Sequence, residues 1–156
     1  MNRIERKTES IERISQVLGE CRVCRIAIND ENAPYIVPLS YGYELVFDKL
    51  FLYFHCAQKG KKIQLLKKCP SAGFETDTMH QLVTAQKACG YTAKYSSVAG
   101  WGNVEFVEND DEKMKALCLI MHHYTGVSQW DISKAALDEV CILKLNVCEY
   151  SCKENL

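Results

Sequence analysis

The sequence predicts a mainly β protein of the α+β class, in which an antiparallel sheet or barrel carries peripheral helices. Segments whose apolar residues recur at every second position outnumber the segments with helical periodicity. The strand-like segments do not alternate with the helical ones, which disfavours a doubly wound parallel sheet. Hydrophobic residues make up 47% and charged residues 25% of the 156 residues, the balance of a folded globular protein, and we expect one domain over residues 1–156.

Three segments are expected to form helices. The first covers residues 8–19, where Thr8 is the expected N-cap and apolar residues fall on one helical face. The second covers residues 60–68. The third opens at Asp110, because acidic residues favour the positive end of a helix, and Gly126 lies just beyond its end.

Strands account for most of the remaining chain. Gly100 and Gly102 flank Trp101 within one long strand-like segment, and they indicate a bulge or a close approach of two backbones. Residues 77–94 have weak periodicity, so an irregular excursion is expected there, with a short helix around Ala85. The expected strands are residues 23–28, 35–43, 51–56, 72–76, 95–107 and 140–150.

Charge and hydropathy exclude several functional classes. The chain has 19 basic and 20 acidic residues, a formal net charge of -1 and no run of five like charges, so no nucleic-acid-binding footprint is visible. Its apolar stretches are short, and residues 1–6 lack the apolar core of a signal peptide. We therefore expect a cytoplasmic protein without a transmembrane span.

The nine cysteines are an odd number in a chain without an export signal, so reduced thiols are expected. Cys21 and Cys24 form the only CxxC motif, and no second CxxC or histidine pair at zinc spacing follows it. Because free cysteine packs like a small apolar residue, buried thiols are favoured over metal ligands.

The segment with the most chemical information joins the strand at residues 51–56 to the helix at residues 60–68. Gly60 opens this helix, and Lys61 and Lys62 occupy its first turn. Since a helix N-terminus is already partly positive, two lysines there are unfavourable unless an anion binds. A phosphate would accept backbone hydrogen bonds and pair with the lysines, and the alternative is a solvated lysine pair. The pattern is not a P-loop.

The strand at residues 35–43 has two unlike faces. One face carries large apolar and tyrosine side chains, and the other carries Pro38, Ser40 and Gly42. Small residues leave room for a flat ligand against the backbone. The alternative is an edge or bulged strand, because Pro38 lacks a backbone donor. Outside this segment, His122 and His123 lie at a helix end, where structural roles are more common than catalysis.

Five segments together resemble the FMN-binding split-barrel proteins related to pyridoxamine 5'-phosphate oxidase, and within them the nitroimidazole-resistance (Nim) family. The resemblance covers residues 10–150 and implies a six-stranded antiparallel split β-barrel that forms a homodimer, with FMN at the subunit interface. The segments are VCRIA at 23–27, PYIVPLSYGY at 34–43, LYFH at 52–55, GKK at 60–62 and YSSVAGWG at 95–102.

The resemblance also implies roles for individual residues. His55 is expected near the flavin as the catalytic proton donor, the alternative being a hydrogen-bonded core histidine. Cys56 stands where relatives commonly have serine. Tyr41 and Trp101 are the expected substrate contacts, with Trp101 supplied by the second subunit; a core or interface aromatic is the alternative for Trp101. The expected cofactor-binding residues are Val37, Pro38, Leu39, Ser40, Tyr53, Phe54, His55, Gly60, Lys61, Lys62, Ser97, Val98 and Gly100.

The expected function is an FMN-dependent reductase acting on a small acceptor, with a nitroaromatic as one candidate. Vitamin B6 oxidation is disfavoured, because the C-terminal strand lacks the Arg-x-His arrangement of pyridoxamine 5'-phosphate oxidase itself. One alternative is a non-catalytic protein that binds flavin or haem. Another is a cysteine-based metal or redox module. No metal, membrane or nucleic-acid partner is expected.

Overall fold

The computed structural model describes residues 4–156. Short 3-10 helices cover Ile4–Arg6 and Ala88–Gly90. The α-helices are α1 (Ile11–Glu20), α2 (Lys61–Lys68), α3 (Asp110–Thr125) and α4 (Lys134–Glu139). The strands are β1 (Lys7–Thr8), β2 (Cys24–Ile28), β3 (Tyr35–Leu39), β4 (Tyr41–Val46), β5 (Lys49–Ala57), β6 (Ser71–Val83), β7 (Thr92–Val107) and β8 (Val140–Asn155).

The strands form one antiparallel sheet in the order β3-β2-β6-β7-β8-β5-β4, with β1 paired to β8. Strands β3 and β4 stand at the two ends of this order, yet Ser40 alone separates them in the chain. The sheet must therefore curl until its ends meet, which confirms the predicted split-barrel class with helices around it. The sheet of the described residues has eight strands rather than the expected six.

Two features account for the larger strand number. The segment expected as one strand at residues 35–43 divides at Ser40, because Leu39 pairs with Cys24 whereas Tyr41 pairs with Phe54. Alternation of apolar residues continues through Ser40, so hydropathy does not reveal this change of partner. The second addition is the two-residue strand β1, whose Thr8 pairs with Cys152.

Helix α1 begins later than expected. Ser10, not Thr8, is its N-cap, and the Ser10 side chain accepts a hydrogen bond from the Arg13 backbone amide at 3.3 Å. Thr8 instead lies in β1 and donates through Oγ1 to Glu154 at 3.0 Å. The apolar face of α1 is buried in the main core, as the sequence predicted.

Residues 77–94 are more regular than expected. Strand β6 continues to Val83 and β7 begins at Thr92, so most of this segment forms a hairpin, with a register shift between Met79 and Gln81. Most side chains of the outer part of β6 are exposed, so burial imposes no alternation that a sequence pattern could show. The short helix expected around Ala85 lies at Ala88–Gly90.

The expected bulge in the long strand is confirmed at the β7–β8 pairing, where the register shifts between Trp101 and Gly102. A Cβ atom on Gly100 would lie 2.1 Å from the Glu149 carbonyl oxygen, and one on Gly102 would lie 2.2 Å from that of Asn146. Both glycines are therefore required by the close approach of β8.

Helix α3 has the predicted start and end. Asn109 caps it, and Gly126 ends it in the left-handed region at φ 76°. The helix lies directly on β4, because a Cβ on Gly42 would be 2.5 Å from the Ile120 nitrogen. Beneath α3, a second small core forms from Tyr53, Val107, Ala116 and Ile142.

All nine cysteines are free thiols, and both members of the CxxC motif are buried. Burial raises the pKa of Cys21 to about 11 and raises that of Cys24 further. Between Ile4 and Leu156 no helix is both long and apolar enough to cross a membrane. Part of the segment inspected for a signal peptide, residues 1–3, lies outside the described residues.

Candidate functional site

The junction between β5 and α2 has the geometry of an anion site. Gly60 is the N-cap of α2 with φ 139° and ψ 173°, a conformation that residues with a side chain rarely adopt. No side chain caps the first turn, and that turn contains no acidic residue. The first backbone amides of α2 therefore lack a side-chain acceptor, and an oxyanion placed there would receive their hydrogen bonds.

The two lysines at this helix start have different surroundings. The ammonium of Lys61 lies 2.8 Å from a carboxylate oxygen of Asp30 and 4.8 Å from the Tyr35 ring centroid. The hydrogen bond to Asp30 raises the pKa of Lys61, and the same contact lowers that of Asp30. The positive charge of Lys62 instead lowers the pKa of the Cys56 thiol. Asp30 thus already supplies an anion for Lys61, whereas Lys62 forms no salt bridge with the described residues.

Two of the small residues predicted to leave room for a flat ligand are exposed, namely Pro38 in β3 and Ser40 directly after it. Val37 and Leu39 pack against the main core. Gly42 does not belong to this open surface, because α3 covers it. Strand β3 is also an end strand of the hydrogen-bonded order, so the edge-strand explanation for Pro38 holds as well.

His55 lies next to this surface. Tyr41 pairs with Phe54, so Ser40 and His55 are the residues that follow at the same end of the β4–β5 ladder. The His55 side chain is exposed, which excludes the alternative of a buried core histidine. The structure therefore brings Ser40, His55 and the start of α2 to one end of the barrel.

Three of the predicted site residues turn their side chains away from this surface. Tyr53 is buried beneath α3 and donates a hydrogen bond to Glu44 at 2.6 Å. Phe54 lies in the main core. Tyr41 is 0% exposed, and its hydroxyl donates to the Leu18 carbonyl oxygen at 2.6 Å. The expectation that Tyr41 contacts a substrate is therefore wrong for this conformation, and Tyr53 and Phe54 offer a cofactor only their backbone.

The remaining predicted residues form a separate group on β7. Val98 is buried in the main core, and the Ser97 hydroxyl donates to the Lys153 carbonyl oxygen at 3.4 Å. On β8, Gly100 lies opposite Tyr150 and His55 lies opposite Ile142. These two β8 positions are eight residues apart, or roughly 26 Å along the strand. Across β6, β2 and β3, Val98 is in register with Leu39, the residue before Ser40, at three strand spacings or roughly 14 Å. Within one chain, β6 and β2 therefore separate the β7 group from the surface beside His55.

An apolar stripe that no sequence pattern indicated crosses the outer face of four strands. Ile36 is 62% exposed and pairs with Ala27, which pairs with Gly73, which pairs with the 46% exposed Trp101. Two large exposed side chains thus flank two small ones on one face of the sheet. Only the strand register reveals this arrangement, because the four residues come from distant parts of the sequence.

His123 has the structural role that the sequence favoured. It is buried, and its Nδ1 donates to the Tyr41 carbonyl oxygen at 2.7 Å. His122 is exposed, and its Nδ1 lies 3.1 Å from the Ser128 hydroxyl. Both line a cavity of about 400 Å³ together with Tyr43. Within residues 4–156, no three His, Cys, Asp or Glu side chains are grouped so as to hold a metal ion.

Comparison with known proteins agrees with this fold. The family profile of pyridoxamine 5'-phosphate oxidase matches residues 10–154. A proposed 5-nitroimidazole antibiotic resistance protein from Bacteroides thetaiotaomicron is 32% identical, with a TM-score of 0.80 over 95% of this chain and 86% of that chain. Among curated proteins, none matches the chain.

Two more distant structures share the fold. A flavocytochrome from Azotobacter vinelandii is 16% identical, with a TM-score of 0.80 over 100% of this chain and 72% of that chain. A protein from Mycobacterium smegmatis that binds FAD and haem is 19% identical, with a TM-score of 0.79 over 96% and 73% of the two chains. The profile match over most of the sequence and the 32% identical relative confirm the resemblance: the chain belongs to the pyridoxamine 5'-phosphate oxidase family.

Proposed function

We propose that the protein is a homodimeric FMN-dependent oxidoreductase that reduces a small acceptor, with a nitroaromatic compound as the leading candidate. The observation that carries this proposal is the uncapped start of α2 at Gly60, beside Lys62 and close to an exposed His55. The relative described as a nitroimidazole resistance protein supports the choice of acceptor.

The residues at this junction fit the phosphate of FMN. A Cβ atom placed on Gly60 would meet no other atom within 4 Å, so a phosphate oxygen has room to approach the backbone. The free amides at the start of α2 would donate to that oxygen, and the Lys62 ammonium would balance its charge. Lys61 contributes less, because its ammonium already pairs with Asp30.

The exposed surface of Pro38 and Ser40 would accept the planar ring system, since neither residue projects a large side chain. Bound flavin would supply the electron transfer to the acceptor. His55 would hold a proton at the edge of this surface and deliver it to the reduced acceptor, because an imidazole donates protons readily near neutral pH.

A second subunit would complete the site. Within one chain, three strand spacings separate Trp101 from Ile36, so the flavin contact that we propose for Trp101 comes from a partner subunit. The stripe of Ile36, Ala27, Gly73 and Trp101 offers an apolar surface for the contact between subunits.

The first experiment is an absorbance spectrum of the purified protein, followed by denaturation and mass analysis of whatever is released. Released FMN supports the proposal. A colourless protein that also fails to bind added FMN contradicts it. A haem spectrum favours the alternative of a haem-binding split-barrel protein.

The second experiment separates an enzyme from a flavin carrier. The FMN-loaded protein is reduced chemically without oxygen and mixed with a 5-nitroimidazole, and the return of oxidised flavin absorbance is followed. The proposal predicts rapid return in the native protein and a rate at least about tenfold lower in His55→Ala. His122→Ala, which changes an exposed histidine elsewhere, is the matched control. A protein that holds FMN but never passes electrons to the acceptor is a carrier.

A further inference from the structure

Two cysteines face each other across neighbouring strands at the same end of the barrel. Cys56 of β5 lies directly opposite Cys141 of β8 in the antiparallel register. Both thiols are half-buried and free, and both pack against the main core, so their side chains point to the same face of the sheet. The proposed reductase function uses neither thiol.

The register suits a covalent bridge between these residues. Directly opposed residues of an antiparallel pair have Cα atoms about 4.5 or 5.5 Å apart. A disulfide accommodates Cα separations of about 4.4 to 6.8 Å. The Cα separation expected of directly opposed residues therefore lies within the range that a disulfide accommodates.

The surroundings of the pair activate Cys56. A hydrogen bond from the Cys141 thiol lowers the pKa of Cys56, burial acts in the opposite direction, and the nearby Lys62 ammonium lowers the pKa further. The same hydrogen bond raises the pKa of Cys141. The nearby positive charge of Lys62 therefore favours the thiolate of Cys56, and the thiolate is the nucleophilic form of cysteine.

A small cavity lies beside the pair and reaches Cys141. It has a volume of about 250 Å³, and Cys141 forms part of its wall. Lys67 and Lys113 also line it, against a single carboxylate from Glu108. The excess of positive charge favours an anionic reagent, and Ile63 of α2 forms another part of the cavity wall.

We propose that Cys56 and Cys141 form a redox-active dithiol, which reacts with a small anionic disulfide and closes a reversible bridge between β5 and β8. The Cys56 thiolate attacks one sulfur of the reagent; the reagent S–S bond breaks, and one thiolate leaves with the electron pair and takes up a proton. Cys141 then loses its proton to solvent and attacks the Cys56 sulfur, which releases the second reagent thiol. The two cysteines are oxidised to one disulfide, and the reagent disulfide is reduced to two thiols.

The test uses the full chain and oxidised glutathione as the anionic disulfide. After incubation, free thiols are trapped by acid and alkylation, and digested peptides are identified by mass spectrometry. The expected product is a Cys56–Cys141 linked peptide that disappears on treatment with dithiothreitol. Cys21 and Cys24, both buried, are the internal control and should remain reduced. The proposal is overturned if no linked peptide forms, or if the only intramolecular link joins other cysteines.

Three variants test the chemistry of each step. Cys141→Ala should accumulate a glutathione adduct on Cys56, because the second attack is removed. Lys62→Gln should slow alkylation of Cys56 by neutral iodoacetamide about threefold, since the thiolate loses its cation. Lys67→Gln is the matched control, because Lys67 lines the cavity without a contact to Cys56, and its rate should equal that of the native protein. Equal rates in both lysine variants would contradict the role of Lys62, and an unmodified Cys56 in Cys141→Ala would contradict the first step.

Discussion

His123 of α3 donates its Nδ1 proton to the carbonyl oxygen of Tyr41 at 2.7 Å, and this hydrogen bond ties the helix to the first residue of β4. The two rings also meet edge to face, with centroids 4.5 Å apart. Because the Tyr41 hydroxyl reaches back to the Leu18 carbonyl, the same residue connects α1, β4 and α3.

Replacing His123 should therefore weaken the fold rather than the redox chemistry. His123→Phe keeps an aromatic ring but leaves the buried Tyr41 carbonyl without its side-chain donor, and we expect a loss of about 1–2 kcal/mol in the free energy of unfolding. Urea unfolding measures the change. His122→Phe, at the exposed neighbouring position, should remain within about 0.5 kcal/mol of the native protein. Equal losses in both variants would contradict the structural role of His123.

The two lysines at the start of α2 should differ in their effect on flavin binding. Lys62→Gln should weaken FMN binding about tenfold, because it removes the cation that is not already paired with Asp30. Lys61→Gln should have a smaller effect. Quenching of flavin fluorescence on titration measures both dissociation constants. Riboflavin, which lacks the phosphate, is the control ligand, and its affinity should be the same in both variants. A larger loss in Lys61→Gln would reverse the assignment.

A buried carboxylate should make the fold sensitive to acid. Glu154 is 8% exposed and receives hydrogen bonds from Arg13 at 2.6 Å, from Ser96 at 2.7 Å and from Thr8 at 3.0 Å. Burial raises its pKa, but the bonds from Arg13, Ser96 and Thr8 together outweigh burial and lower the pKa below its usual value. A lowered folded-state pKa means that this stabilisation is fully present above the unfolded pKa and is lost as pH falls through the folded one.

Glu154→Gln isolates this contribution. At pH 7 the variant should be about 2 kcal/mol less stable than the native protein, because Arg13 loses its buried carboxylate partner and keeps only the more exposed Glu20. The difference should shrink as the pH falls below about 4, where the native carboxylate also becomes protonated. Urea midpoints at a series of pH values measure it. A difference that stays constant from neutral to acidic pH would rule out Glu154 as the titrating group.

Trp101 should matter to assembly more than to the folding of one subunit. Trp101→Glu places a charge in the apolar stripe, so we expect the dimer to dissociate and the bound FMN to be lost with it. Light scattering coupled to size-exclusion chromatography measures the mass. Phe47→Glu changes another exposed apolar residue, 86% exposed in the β4–β5 turn and off the stripe, and should leave the mass unchanged. If Trp101→Glu keeps the dimer and its FMN, the interface lies elsewhere.

Local signals in the sequence located most elements of this fold. Helix α3 was predictable because its capping residue and its terminal Gly126 act within one turn of the helix they limit. The N-cap of α1 was not predictable from the sequence, since Thr8 and Ser10 are both good capping residues. The choice between them depends on Glu154, which holds Thr8 in β1 from 146 residues away.

In the candidate site too, features set by neighbouring residues were predictable from the sequence, and contacts between distant segments were not. A strand followed by Gly60 and two lysines marked the anion site directly. Nothing local indicates that Lys61 pairs with Asp30 or that the Tyr41 hydroxyl points to Leu18, because both contacts depend on how distant segments pack. The alternation around Tyr41 showed which residues share a face, and it did not show that α3 covers the neighbouring Gly42.

The position of Ser40 has a mechanical consequence for the barrel. One residue spans at most about 3.6 Å, so β3 and β4 are held together where Leu39 precedes Ser40 and Tyr41 follows it. Among the described residues these two strands are not hydrogen-bonded neighbours, and their far ends at Tyr35 and Val46 have no such tether. Every step in the strand order from β3 to β4 is antiparallel, so the two strands run in the same direction, and Ser40 is the point where one continuous stretch of chain changes its partner from β2 to β5. A movement of one sheet edge relative to the other is therefore concentrated at the backbone of Ser40, beside His55.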